Sequence, residues 1–119
     1  VIVTGVMLEL TPARQSDILA KMEDLQERRR SRQPLEYPSA GSTFKRPAGH
    51  YVGPMIEEAG LKGFRIGGAE VSTKHAGFII NRGGATANDF LNVIEHIQAE
   101  IKQRYNVDLE PEVRILGVD

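Results

Sequence analysis

The sequence contains no cysteine, so disulfide bonds and thiolate metal sites are excluded. No apolar run is long enough to cross a bilayer. Fifteen Lys and Arg residues balance sixteen Asp and Glu residues, and the net charge of -1 gives no overall field that would attract nucleic acid or a membrane. The three histidines are scattered and lack the spacing of metal ligands. We therefore expect no metal, nucleic-acid or membrane partner.

The size of the chain, 119 residues, suits one domain with a buried core. Its 40% hydrophobic and 26% charged residues are typical of a soluble globular protein. The N-terminus shows neither an initiator methionine nor a signal peptide. The apolar, β-branched segment Val1–Leu10 predicts a strand. Because this predicted strand starts at the first residue, we expect the chain to be a fragment of a longer protein.

The rest of the chain predicts an alternation of helices and short strands. Thr11 and Pro12 are typical of a helix start, and the apolar positions after them predict a helix to about Arg30. A second, short helix is predicted from Gly53-Pro54, with Gly60 closing it. Strands are predicted at Arg65–Thr73 and Gly77–Asn81, paired as a hairpin, and at Glu112–Leu116.

The clearest periodic signal follows Gly83-Gly84. Thr86 and Asp89 resemble a capping box, and an apolar stripe at helical spacing follows, comprising Phe90, Ile94, Ile97, Ile101 and Tyr105. We interpret the stripe as a core face. A regular βαβ alternation is absent, so the predicted fold class is α+β, a small mixed or antiparallel sheet with packed helices.

The segment Pro38–His50 carries the most candidate chemistry. Ala40 and Gly41 leave little side-chain bulk beside the hydroxyl of Ser42, so a ligand can approach the backbone there. Three potential anion contacts follow, Lys45, Arg46 and His50. By composition alone, an ordinary surface turn is the slightly favoured interpretation. A hydrolase nucleophile at Ser42 is weakly supported, because the second glycine of the G-x-S-x-G motif is missing.

Three residues outside this segment are ambiguous by themselves. His75, beside Lys74 at a strand connection, suits either an anion contact or a turn cap. His96 lies off the apolar stripe, and we expect it in solvent. Glu112 at the start of the last predicted strand reads as a surface carboxylate.

Several segments together resemble the C-terminal part of the UDP-N-acetylenolpyruvoylglucosamine reductase (MurB) family. They occur in the family's order and cover nearly the whole chain. They are Gln33-Pro34-Leu35, Pro38–Lys45, Ala59–Gly63, Ile66–Ala69, Val71–Ala76, Asn81 and Leu109–Arg114.

The resemblance implies a domain organisation and an activity. Residues 11–119 would form the substrate-binding C-terminal domain, and residues 1–10 the strand that leaves the FAD-binding domains, which this chain lacks. The family reduces UDP-N-acetylglucosamine enolpyruvate to UDP-N-acetylmuramate with NADPH through FAD, for peptidoglycan synthesis in the bacterial cytoplasm. The fragment alone would be inactive and would contain no cofactor-binding residue. The alternative is a stand-alone nucleotide-sugar-binding module without catalysis.

The resemblance also implies roles for individual residues. Ser42 matches the general acid, and Glu112 matches a second catalytic group that stabilises the intermediate, so we expect both in one pocket. Lys45, Arg46 and His75 match substrate-binding positions, although many relatives have an asparagine where this chain has Arg46. The short connection from Pro47 to Pro54 resembles the type II subgroup, which lacks a tyrosine-bearing loop over the substrate.

Overall fold

The computed structural model describes residues 2–117. The chain divides into two compact units, one ending at Ser31 and the other beginning at Arg32. The first unit contains residues 2–14, which form neither helix nor strand, and most of helix α1 (Gln15–Arg32). None of the residues of α1 is buried, and its apolar side chains are exposed.

Two predictions for the first unit are wrong. The strand predicted over Val1–Leu10 is absent from residues 2–10, and Val1 lies outside the described residues. A strand is stabilised by hydrogen bonds to a neighbouring strand, and no described strand pairs with this segment. The predicted helix start is also wrong: the first helix begins at Gln15 and not at Pro12, because its first hydrogen bonds are accepted by Arg14. The carbonyl of Arg14 accepts from the N–H groups of Asp17 and Ile18, at 3.0 and 3.1 Å.

The second unit contains a four-stranded antiparallel sheet and two helices, which confirms the α+β fold class. The spatial order of the strands is β1-β4-β3-β2. The strands are β1 (Ser39–Ser42), β2 (Arg65–Ile66), β3 (Ala69–Val71) and β4 (Phe78–Asn81). The helices are α2 (Val52–Glu58) and α3 (Ala87–Tyr105). The segment that holds Ser42, predicted as a loop, therefore begins as a strand that pairs with β4.

The single strand predicted over Arg65–Thr73 is two strands joined by a tight turn. Ile66 pairs with Ala69, so Gly67 and Gly68 form a two-residue hairpin loop. Gly67 has a φ of +55°, which glycine adopts without steric cost and which such hairpin turns require. The predicted pairing with the following strand is confirmed, because β3 and β4 are antiparallel neighbours.

The prediction of a strand over Glu112–Leu116 is also wrong. The chain makes one antiparallel bridge, between Phe44 and Pro111, and residues 113–116 form no strand. If this antiparallel pairing continued, residues 113–116 would pair with β1. The bulge in β1, described below, interrupts the regular edge of that strand.

Helix α3 forms as the sequence predicts. The Thr86 hydroxyl accepts from the N–H of Asp89 at 3.1 Å, and the Asp89 carboxylate accepts from the N–H of Thr86 at 2.8 Å, which completes the capping box. The predicted stripe faces the core: its three isoleucines are buried, and its two aromatic side chains pack at the margin. Helix α2 ends as expected before Gly60, whose φ is +73°.

Candidate functional site

A bulge in β1 determines the position of Ser42, the last residue of that strand. Ser39 pairs with Ile80 and Ser42 pairs with Phe78, so three steps along β1 match two steps along β4. Gly41 lies within the bulge with a φ of +84°, a conformation that favours glycine. The Ser42 side chain is exposed, whereas the next residue, Thr43, is buried.

Antiparallel pairing with the residues after Ser42 brings Glu112 to the same place. The N–H of Lys45 donates to the carbonyl of Glu110 at 2.8 Å, and the N–H of Glu112 donates to the carbonyl of Thr43 at 2.8 Å. As a result, Ser42 and Glu112 line one small depression together with Ala40 and Val113. Two residues far apart in the chain are thus adjacent in space.

Ser42 also lines a second cavity, an open cleft. Its volume is about 350 Å³, within the range of about 300–1,000 Å³ that ligand pockets occupy. Side chains alternate between the two faces of an extended segment. Accordingly Ser42, Phe44 and Arg46 all line the cleft. Thr43 lines an apolar groove on the other face. Ser42 is therefore shared by the cleft and by the depression that contains Glu112.

The cleft is predominantly cationic. Arg46, Lys62 and Lys74 line it, and Glu57 is the one carboxylate among its described lining residues. Lys62 pairs with Glu57 at 2.7 Å, and Lys74 pairs with Glu36 at 3.4 Å. Ion pairs this exposed contribute about 0–1 kcal/mol each, so an anionic ligand can compete for both ammonium groups.

Arg46 is held at the mouth of the cleft by two contacts. Its Nε donates to the carbonyl of His50 at 3.2 Å, and its guanidinium carbon lies 3.9 Å from the centroid of the Tyr51 ring. Stacking on an aromatic face leaves the outer edge of a guanidinium available for bidentate contact with phosphate or carboxylate.

His75 lines the opposite part of the cleft, in the connection between β3 and β4. Its Nδ1 accepts from the N–H of Gly77 at 3.1 Å, and its ring makes a T-shaped contact with the Phe78 ring, with 4.8 Å between centroids. The backbone N–H of His75 donates to the buried hydroxyl of Ser72 at 3.2 Å.

No group of three or more metal-binding side chains occurs among residues 2–117. No helix in this part of the chain is long and apolar enough to span a membrane. The N-terminus of α3 follows a pair of glycines, and its capping box occupies the N–H groups of Thr86 and Asp89.

Comparison with known protein families identifies the family of this chain. The sequence profile of the UDP-N-acetylenolpyruvoylglucosamine reductase C-terminal domain, MurB_C, matches residues 33–116. The chain belongs to this MurB family. The matched residues all lie within the second compact unit, which begins at Arg32.

Individual relatives agree with the family assignment. The chain is 60% identical over 116 residues to a UDP-N-acetylenolpyruvoylglucosamine reductase of Syntrophomonas wolfei, which covers 98% of this chain and 39% of the relative. For the enzyme of the same name from Lactobacillus helveticus, the identity is 58% with the same coverage. The crystal structure of MurB from Thermus caldophilus superposes with a TM-score of 0.70 at 36% identity, covering 87% of this chain and 37% of that one. This chain therefore spans about two fifths of the length of these relatives.

The structure separates the two adjacent cations that the MurB resemblance implied as substrate contacts. Arg46 lines the cleft, whereas Lys45 does not and forms an ion pair with Glu110. The alternation of an extended segment explains the difference. A substrate contact by Lys45 stays a prediction, as do the roles implied for the other site residues.

Sequence reasoning missed part of the cleft and misjudged one histidine. Lys62 was not identified, because a lysine in a Leu-Lys-Gly turn carries no sequence signal of what lies across from it in space. Lys74 was noted as a neighbour of His75 and also lines the cleft. His96 was expected in solvent, but it is half-buried and stacks on Phe64 with 4.0 Å between ring centroids.

Proposed function

We propose that this chain is the substrate-binding and proton-donating part of a reductase that acts on UDP-N-acetylenolpyruvoylglucosamine, the compound in the name of its relatives. One observation carries the proposal. Ser42 stands at the junction between a cationic cleft and the depression that contains Glu112. A ligand held in the cleft by its phosphates can therefore present an attached group to both side chains.

The cleft suits a nucleotide diphosphate. Three cationic side chains and one carboxylate leave a positive balance for the charge of a pyrophosphate. We assign direct contacts to Arg46, whose guanidinium is oriented by Tyr51, and to His75. The two ion-paired lysines, Lys62 and Lys74, supply further positive charge.

The chemistry assigned to this chain is delivery of a proton. Reducing a carbon–carbon double bond adds a hydride to one carbon and a proton to the other. We propose that the Ser42 hydroxyl donates the proton to the carbon next to the carboxylate and takes up another from solvent, to which it is exposed. Glu112, in the same depression, stabilises the intermediate that forms before this proton arrives.

The hydride source is proposed to lie outside this chain. The resemblance implies FAD as the cofactor and NADPH as the reductant. Because the chain spans 39% of its relatives, we propose that flavin-binding domains belong to the remaining length of the full protein. We also propose the bacterial cytoplasm as the location, and the type II subgroup on the basis of the short Pro47–Pro54 connection.

The test is the variant Ser42→Ala in the full-length protein that contains this chain. Flavin reduction by NADPH should remain normal, whereas kcat for reduction of the UDP-sugar should fall by about 10²–10⁴-fold, the usual contribution of a positioned acid. Thr73→Ala is the control, because Thr73 is exposed and its hydroxyl lines neither the cleft nor the depression that contains Glu112.

Normal turnover in the Ser42→Ala variant would remove this residue from the proton-donating role. If the full-length protein binds the UDP-sugar tightly but reduces none of it, the alternative of a binding module without catalysis is favoured.

A further inference from the structure

A buried hydroxyl organises the connection that carries His75. Ser72 is 1% exposed, and its Oγ accepts from the N–H groups of Lys74 and His75, at 3.1 and 3.2 Å. The main chain closes the same turn, because the N–H of Ser72 donates to the carbonyl of Phe78 at 2.9 Å and the N–H of Phe78 donates to the carbonyl of His75 at 3.0 Å. The backbone of His75 is thereby fixed on both sides.

The imidazole ring is fixed separately. The N–H of Gly77 donates to Nδ1 at 3.1 Å, and the Phe78 ring packs against the imidazole in a T-shaped contact. A Cβ atom at position 77 would lie 3.0 Å from Cε1 and 3.2 Å from Nδ1, so glycine leaves the room that this arrangement needs. A neutral imidazole has one donor and one acceptor nitrogen. Since Nδ1 accepts, the proton of the neutral ring belongs on Nε2.

The second ring nitrogen is available to a ligand. Within the described part of the chain, Nε2 of His75 has no hydrogen-bond partner. No buried side-chain nitrogen or oxygen lacks a partner among residues 2–117, so Nε2 must be accessible. Because His75 lines the cleft, we infer that this nitrogen faces a ligand there.

We propose that the turn from Ser72 to Gly77 fixes His75 as the tautomer protonated on Nε2, which makes it a hydrogen-bond donor to an oxygen atom of the ligand in the cleft. Ser72 and Gly77 are positioning residues in this scheme, since neither is proposed to touch the ligand. The tautomer itself depends on nothing outside this chain, whereas the ligand contact rests on the function proposed above.

The tautomer can be measured directly by long-range ¹H–¹⁵N correlation spectroscopy of the full-length protein at alkaline pH, where neutral imidazole dominates. Signals that are missing from the spectrum of the His75→Gln variant are assigned to the His75 ring. His75 should show one tautomer with Nε2 protonated, whereas His50, whose exposed ring has no hydrogen bond among the described residues, should show a mixture. A His75 ring protonated on Nδ1, or mixed like His50, would overturn the proposal.

Two variants test whether the turn fixes the tautomer. Gly77→Ala crowds the ring and Ser72→Ala removes the acceptor for two N–H groups, so each should shift His75 towards a mixture. Thr73→Ala is the control, because Thr73 is exposed in the same turn and should leave the tautomer unchanged. If Gly77→Ala does not fold, Ser72→Ala decides. Unchanged tautomers in every folded variant would refute the positioning roles.

The ligand contact is tested in the full-length protein with UDP-N-acetylglucosamine as the probe. His75→Gln keeps an amide donor near the place of Nε2, whereas His75→Asn keeps an acceptor near Gly77 but lacks that donor. We expect Kd to rise by about tenfold more for the asparagine variant than for the glutamine variant, the worth of one hydrogen bond. Equal loss in both variants would refute the donor contact. Failure of the wild-type protein to bind the probe would count against the proposed function, while the tautomer would still be decided by the spectra.

Discussion

The N–H of Glu112 donates to the carbonyl of Thr43 at 2.8 Å, and this hydrogen bond sets Glu112 beside Ser42. The neighbouring bond, from Lys45 to Glu110, belongs to the same antiparallel bridge. Because the bridge lies on the backbone, side-chain substitutions at positions 110 and 112 should leave it intact. The chemistry of these side chains can therefore be changed without moving the chain.

Replacing Glu112 by Gln in the full-length protein should lower kcat for reduction of the UDP-sugar by about 10²–10³-fold, as expected when a group that stabilises the reaction intermediate is lost. Flavin reduction by NADPH should be unaffected. Stopped-flow measurement of the two half-reactions separates these effects.

The matched control is Glu110→Gln, which removes a carboxylate two residues away that pairs with Lys45 and does not line the depression. Both variants should keep the thermal unfolding midpoint of the wild type. Equal losses of activity in the two variants would show that charge in this segment matters and that the position of Glu112 does not.

The lining of the cleft predicts that substitutions of Lys45 and Arg46, which are adjacent in sequence, have different effects on substrate binding. Arg46→Gln should raise KM for the UDP-sugar by about tenfold or more, because a hydrogen bond to a charged group is worth about 1.5–3 kcal/mol. Lys45→Gln should raise KM much less, since its ammonium pairs with Glu110 away from the cleft. Steady-state kinetics of both variants give the comparison. An equal rise for Lys45→Gln would favour the substrate contact that the family resemblance implies for Lys45.

The parts of the fold that the sequence predicts correctly depend on local spacing. The capping box joins residues three apart, and the apolar stripe of α3 follows from the helical repeat, so both are properties of a short segment. The hairpin of β3 and β4 is likewise a contact between neighbours in sequence.

The predictions that fail depend on partners elsewhere. A strand over residues 2–10 or 113–116 needs an edge with which to pair, and the composition of the segment says nothing about that edge. The split of Arg65–Thr73 into β2 and β3 depends on a positive φ at Gly67, which a pair of glycines permits without requiring.

The candidate site shows the same division. The types of residue at Ser42, Arg46 and His75 are visible in the sequence, and the family resemblance supplies their implied roles. The bulge at Gly41 and the placement of Lys62 arise only from tertiary structure. In an extended segment, side chains alternate between two faces, and this rule alone would have predicted that Lys45 and Arg46 lie on opposite faces.

The Asp89 carboxylate predicts how stability depends on pH. Its pKa is lowered from the ordinary value of 3.8, mainly by the hydrogen bond from the backbone N–H of Thr86, with a further one from Gly68, and partly offset by desolvation. A carboxyl group whose pKa is lower in the folded state stabilises the fold fully above its unfolded pKa. That contribution is lost as the pH falls through the folded value.

The variant Asp89→Ala should therefore unfold more readily than the wild type at neutral pH, and the difference between the two should shrink as the pH falls below about 4, where the unfolded carboxyl becomes protonated. Urea unfolding followed by circular dichroism at several pH values measures it. Asp108→Ala is the control, because this carboxylate makes an exposed ion pair with Lys102 and does not cap a helix. A difference between Asp89→Ala and the wild type that stays constant down to pH 2 would contradict the role of the charged cap and leave only packing to explain the loss.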